Sequence, residues 1–258
     1  MPRVARVKSS ESIYHIMSRS ISEVNLFQNN EDKSYYLALL KRYKEKYKCS
    51  IYAYCIMDNH VHMFINPNGF DISTFMHCLN SAYVSYFNRK YKRHGHLFQG
   101  RFASTIVDSN AYAVSLSAYI HNNSKDIKGY NGMEHLYPYS SYGIYLGIQN
   151  DIYKLVDKEF ILSQFSKVPE KAVLLYQQFV TDMKESGMSN VIDEDIVTSY
   201  IANEYRSEKK IIARNIDPDI LVKKVMKVMG IQSPLVLKNK YSRKDSYIRA
   251  FIVYTMRI

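Results

Sequence analysis

His60-Val61-His62 lies inside the segment HVHMFIN, residues 60–66. Alternate side chains of a strand share a face, so both imidazoles project together while Val61, Met63 and Ile65 point the other way, into a core. Two neutral imidazoles side by side are half of a metal site. The pattern also arises by accident, so it needs support from elsewhere in the chain. A second pair, His94-Gly95-His96, follows a helix that Gly95 ends, and it reads as a loop or phosphate contact.

The segment AYAVSLSAYIHNNS supplies that support. Tyr119 and Asn123 are four residues apart and share a helix face with Tyr112, which sets a phenol beside an amide carbonyl suited to a hard cation. The structural alternative is an amphipathic helix that uses tyrosines as core residues with wet tips. A phenol titrates near pH 10 and is a poor nucleophile at neutral pH without a metal or a base. A divalent ion on two imidazoles and an amide would polarise a phosphodiester, and attack by Tyr119 would store the broken linkage as a phosphotyrosine.

Such a substrate is anionic, and the charge pattern suits it. Between Ile72 and Val107 stand Arg89, Lys90, Lys92, Arg93 and Arg101 with no Asp or Glu, interleaved with Tyr86, Phe87, Tyr91, Phe98 and Phe102. Cations beside rings hold unstacked single strands by phosphate pairing and base stacking. A solvated helix end accounts equally well for residues 89–93. The whole chain has 258 residues, a net charge of +11, 24 tyrosines and no tryptophan, a composition that fits a globular protein facing a polyanion and fits a tyrosine-rich core at least as well.

The same composition excludes several classes. Cys49, Cys55 and Cys78 fit neither a disulfide framework nor a zinc pattern, and they point to a reducing cytoplasm. No apolar run approaches the roughly 18 residues of a membrane span, and no signal peptide opens the chain.

The elements that must position these residues follow from periodicity. Residues 12–19, 50–57, 60–66 and 101–108 read as strands, with Asp58 and Asn59 as a turn; residues 29–48, 71–92 and 110–123 read as helices. The order β-α-β-β-α-β followed by a helix is an α+β fold, the ferredoxin-like split βαβ sandwich, with one sheet backed by helices on one face. We expect this domain over 1–147. A mildly acidic helical linker or bridging segment is expected over 148–205, and a basic helical module over 206–258.

Five segments carry a family resemblance: YHIMSR (14–19), MDNHVHMFI (57–65), HLFQGRF (96–102), YIHNN (119–123) and YPYSSYGIYLG (137–147). In order and spacing the chain resembles the IS200-like single-tyrosine transposases of the HUH endonuclease class, more closely those associated with repetitive extragenic palindromes. The resemblance implies that His60, His62 and Asn123 hold Mg²⁺ or Mn²⁺, that Tyr119 attacks DNA to give a 5′-phosphotyrosine, and that Gln99 and Arg101 contact DNA. It also implies a hairpin-containing single-stranded DNA partner. The chain departs from the family pattern at Asp58 and Ser124, where Pro is frequent, and at Tyr139, where Trp is frequent.

The tail resembles, more weakly, the end of a helix-turn-helix, with Ser233-Pro234 opening a helix and Arg243 and Lys244 on its cationic face, suited to duplex DNA. The expectation is a cytoplasmic, nucleoid-associated nicking and joining enzyme, monomeric rather than homodimeric, with no membrane partner. Two rivals share the residues: a hydrolytic metal nuclease in which water replaces Tyr119, and a non-enzymatic DNA-binding regulator descended from a transposase.

Overall fold

In a computed structural model, residues 12–21 and 24–185 are described. Four strands, β1 (Ile13–Arg19), β2 (Ser50–Ile56), β3 (His60–Asn66) and β4 (Ala103–Val107), form one antiparallel sheet in the order β2-β3-β1-β4. With α1 (Asn30–Tyr47) joining β1 to β2 and α2 (Ile72–Lys90) joining β3 to β4, this is the split βαβ topology. Next come α3 (Asn110–Asn122), short 3₁₀ turns at Asn123–Asp126 and Glu134–Leu136, then α4 (Tyr142–Tyr145), α5 (Glu159–Leu162) and α6 (Pro169–Glu185).

The helices start where side chains satisfy their first orphan N–H groups. Asn29 accepts from Asp32 N, Asp71 from Thr74 N, and Ser109 from Tyr112 N. Glu31 and Asp32 in the first turn of α1, with Lys44 and Lys46 in its last, complement the helix dipole.

One face of the sheet, with Tyr14, Ile16, Val61, Met63 and Ile65, packs against Tyr36, Leu37 and Leu40 of α1 and Phe75, Leu79, Tyr83 and Phe87 of α2. Each large apolar side chain removed from water there contributes about 1.5–3 kcal/mol. The network around Asp32 locks these two helices together. Its buried carboxylate accepts from Gln28 N (2.9 Å), Tyr86 Oη (3.1 Å), Tyr91 Oη (2.7 Å) and Lys90 Nζ (2.7 Å).

The other face is covered as well, contrary to the expectation of helices on one side only. Phe64, Ala53, Cys55 and Tyr52 meet Leu116, Tyr119 and Ile120 of α3, and behind them Tyr142, Tyr145, Tyr176 and Val180. Tyr52 and Ala53 reach this face together because a bulge breaks the β2–β3 register between Ile51 and Ala53. The physical reason for the second layer is that α3 alone is too short to cover four strands, and α6 brings Ala172, Tyr176, Val180 and Met183 at helical spacing to complete it. Ile161 and Leu162 of α5 and this stripe of α6 thus enter the same core as α3. The expected module over 206–258 lies outside the described residues. Among the described residues no helix is long and apolar enough to cross a membrane.

Candidate active site

Three elements bring the site together. His60 and His62 fall on the β3 face opposite Val61, Met63 and Ile65, with ring centroids 5.0 Å apart. α3 crosses this face and sets the Tyr119 ring edge-on to His62, with centroids 5.5 Å apart. A third imidazole, His15 of β1, stacks on His62 at 5.3 Å and meets Tyr119 edge-on at 5.9 Å. His15 carries no spacing signal in the sequence. Only the β1–β3 register, with Met17 opposite His62, shows that it reaches His62 diagonally.

Burial disfavours the charged form of each ring. It lowers the His15 pKa to about 3; with help from the Arg19 cation, it lowers that of His60 to about 4; and, joined by the neighbouring His60 and His15, it takes His62 well below the ordinary value. All three are therefore neutral at pH 7, the form that ligates a metal. His60 Nδ1–H donates to Asn59 Oδ1 at 2.5 Å, which leaves Nε2 with its lone pair. His62 Nδ1 lies 3.1 Å from His15 Nε2.

Asn123 caps α3 and donates from Nδ2 to the Tyr119 carbonyl at 3.2 Å. The bond consumes the amine end of the carboxamide, so Oδ1 is the end suited to a cation. Among the described residues no cluster of three or more His, Cys, Asp or Glu is arranged to hold a metal. The donor set of two imidazoles and one amide nonetheless fits a divalent ion chemically. Tyr119 itself is only 2% exposed.

What holds α3 in place is a buried polar relay. His121 Nε2 meets Ser141 Oγ at 2.7 Å, and Tyr176 Oη of α6 meets His121 Nδ1 at 2.6 Å and donates to Ser117 Oγ at 3.1 Å. Asn122 Nδ2 donates to Val180 O at 2.9 Å. The adjacency of Ser141 and His121 resembles a nucleophile and its base. Both side chains are fully buried, however, and Ser141 Oγ also accepts from Tyr54 N (2.9 Å), so the pair ties α3 to β2.

The departures from the family pattern are absorbed locally. Asp58 pairs with the buried Lys33 at 2.7 Å, and Tyr139 lays its ring beside the same ammonium (5.4 Å to the centroid) while donating to Asn30 O. Ser124 Oγ donates to His121 O at 3.0 Å.

The candidate DNA contacts divide. Arg89, Gln99 and Arg101 are exposed, and Gln99 and Arg101 line a cleft of about 1320 Å³ between α2 and residues 95–102, together with Asn80 and Phe98. Lys90 is bound to Glu31 (2.8 Å) and Asp32 (2.7 Å), and the half-buried Arg93 lies over the Phe87 ring. The structure thus separates these cations, whereas the sequence groups them in one run. Arg243 and Lys244 lie outside the described residues.

The model of the family described as "Transposase IS200 like" matches residues 8–123, a span that holds His15, His60, His62, Tyr119 and Asn123. This segment is similar to the IS200-like transposases. No curated protein matches the chain. Among solved structures, a REP-associated tyrosine transposase bound to a REP hairpin is 15% identical, with a TM-score of 0.48 over 58% of this chain and 89% of that one. The family match ends at Asn123, so α4, α5 and α6, which close the second face over α3, lie beyond the matched transposase segment.

Proposed function

We propose that the chain is a single-strand DNA endonuclease and strand transferase in which Tyr119 is the nucleophile. The observation that carries this reading is the meeting of Tyr119 with His62 and His15 on one sheet face. The Tyr119 oxygen forms a bond to phosphorus as the bond to the 3′ oxygen breaks. The phenol proton passes to solvent, the departing oxygen takes one up, and the 5′ phosphate stays on Tyr119 for rejoining. His60, His62 and Asn123 would hold Mg²⁺ or Mn²⁺, which when bound draws charge from the phosphate. Mutual packing of α3 and α6 keeps the phenol against the imidazoles of its own sheet, which supports action as a monomer.

At 2% exposure the phenol is closed to a polymer, so attack requires rearrangement around α3 when DNA binds. Gln99 and Arg101, on the open cleft, are the contacts we assign to single-stranded DNA next to a hairpin, with Arg89 adding charge; Arg243 and Lys244 are assigned to duplex DNA.

Incubation with Mn²⁺ and a hairpin oligonucleotide carrying a single-stranded flank tests the reading on a denaturing gel. A protein–DNA adduct is expected that Tyr119→Phe abolishes while DNA binding is retained. Cleavage with no adduct would establish the hydrolytic nuclease instead, and metal-independent binding with no cleavage would establish the regulator.

A further inference from the structure

Both histidines of the pair have their Nδ1 engaged, by different partners. For His60 the partner is Asn59 Oδ1, which can only accept, so the proton sits on Nδ1 and Nε2 keeps its lone pair. For His62 the partner is His15 Nε2 at 3.1 Å, which can either accept or donate. If it accepts, His62 presents a bare Nε2. If it donates, His62 carries its own proton on Nε2 and cannot ligate. His15 is held for this contact by its stack on His62 and by burial at 2% exposure. Its other nitrogen, Nδ1, is buried with no hydrogen-bond partner among the described residues. With Nε2 accepting, the His15 proton stands on that Nδ1.

We propose that His15 is a positioning residue: it accepts from His62 Nδ1–H, orients that ring and leaves its Nε2 to the divalent cation. The proposal rests on the reading of His60 and His62 as cation ligands. Partners that fix the second nitrogen of a ligating imidazole typically account for about 10- to 100-fold in metal affinity.

The test is titration of the full chain with Mn²⁺ alone, following the free-ion paramagnetic resonance signal. His15→Leu is expected to weaken binding by about 10- to 100-fold. His15→Gln, whose carbonyl can accept from Nδ1–H, should stay within a few-fold of the parent. Equal weakening by both variants, or by neither, overturns the positioning role. His62→Ala separates the two claims: if it leaves Mn²⁺ binding unchanged, the cation-site reading itself fails; if it abolishes binding that His15→Leu spares, only the role of His15 fails. Long-range ¹H–¹⁵N correlation of the His62 ring in the Mg²⁺-loaded parent carries the test even where the Leu variant does not fold. Nδ1–H supports the proposal, and Nε2–H overturns it.

Discussion

The two faces of the sheet are built from the same strands and do different work. Toward α1 and α2, β1 and β3 present Tyr14, Ile16, Val61, Met63 and Ile65, and the buried Asp32 carboxylate on that side is satisfied by four donors. Toward α3, the intervening residues are His15, His60 and His62, whose ring nitrogens meet one another and Asn59. The period of two along a strand lets one element serve stability and chemistry at once, because a substitution on one face leaves the other face's contacts in place.

Breaking each face separately sharpens this contrast. Replacing both His60 and His62 with Ala should lower metal-dependent cleavage on the order of 10³-fold with the fold retained, read as initial rates beside a thermal melt. Met63→Ala, next to His62 in the strand but facing α1 and α2, should instead cost about 2–5 kcal/mol in urea unfolding and leave the rate per folded molecule within a few-fold. A folded but inactive Met63→Ala protein would contradict the division of labour.

The faces should also differ toward acid. Burial lowers the His121 pKa to about 3, against an ordinary value near 6.5, so the unfolded chain takes up the proton first. Its contribution is fully present above pH 6.5 and is lost as pH falls toward 3, by up to about 1.4 kcal/mol per pH unit. Burial alone would raise the Asp32 carboxyl, but bonds from Lys90, Tyr91, Gln28 and Tyr86 hold it below the usual carboxylate range. Its contribution is present above that range and is lost only as pH falls below it. Urea midpoints should therefore drop between pH 6.5 and 4.5 through the imidazole side alone, and His121→Phe should flatten that slope.

Smallest of all should be the effect of Lys90→Ala on DNA affinity, because its ammonium already serves Glu31 and Asp32. Arg101→Ala, on the open cleft, should weaken binding several-fold and reduce the salt slope by about one. Salt-dependent titrations of a single-stranded oligonucleotide separate the two variants.

Much of the first face was legible in the sequence. Periodicity over residues 29–48, 71–92 and 110–123 locates the helices to within two residues. The pairing of imidazoles on β3 follows from strand parity alone. His15 was not legible, because its meeting with His62 depends on cross-strand register, which no local pattern in β1 encodes. Nor was the relay through His121, Ser141 and Tyr176, whose members are 20 and 55 residues from His121 and meet only once α6 docks on α3. Ion pairing of Lys90 was equally hidden, since Glu31 and Asp32 lie on another helix.

The account stands on one site made by β3 and α3. Crystals soaked in Mn²⁺ and measured at its absorption edge test this most directly. The account predicts an anomalous peak in contact with His60 and His62 Nε2 and Asn123 Oδ1, on the side of the sheet that carries Tyr119. A peak elsewhere with none between the two imidazoles would contradict it.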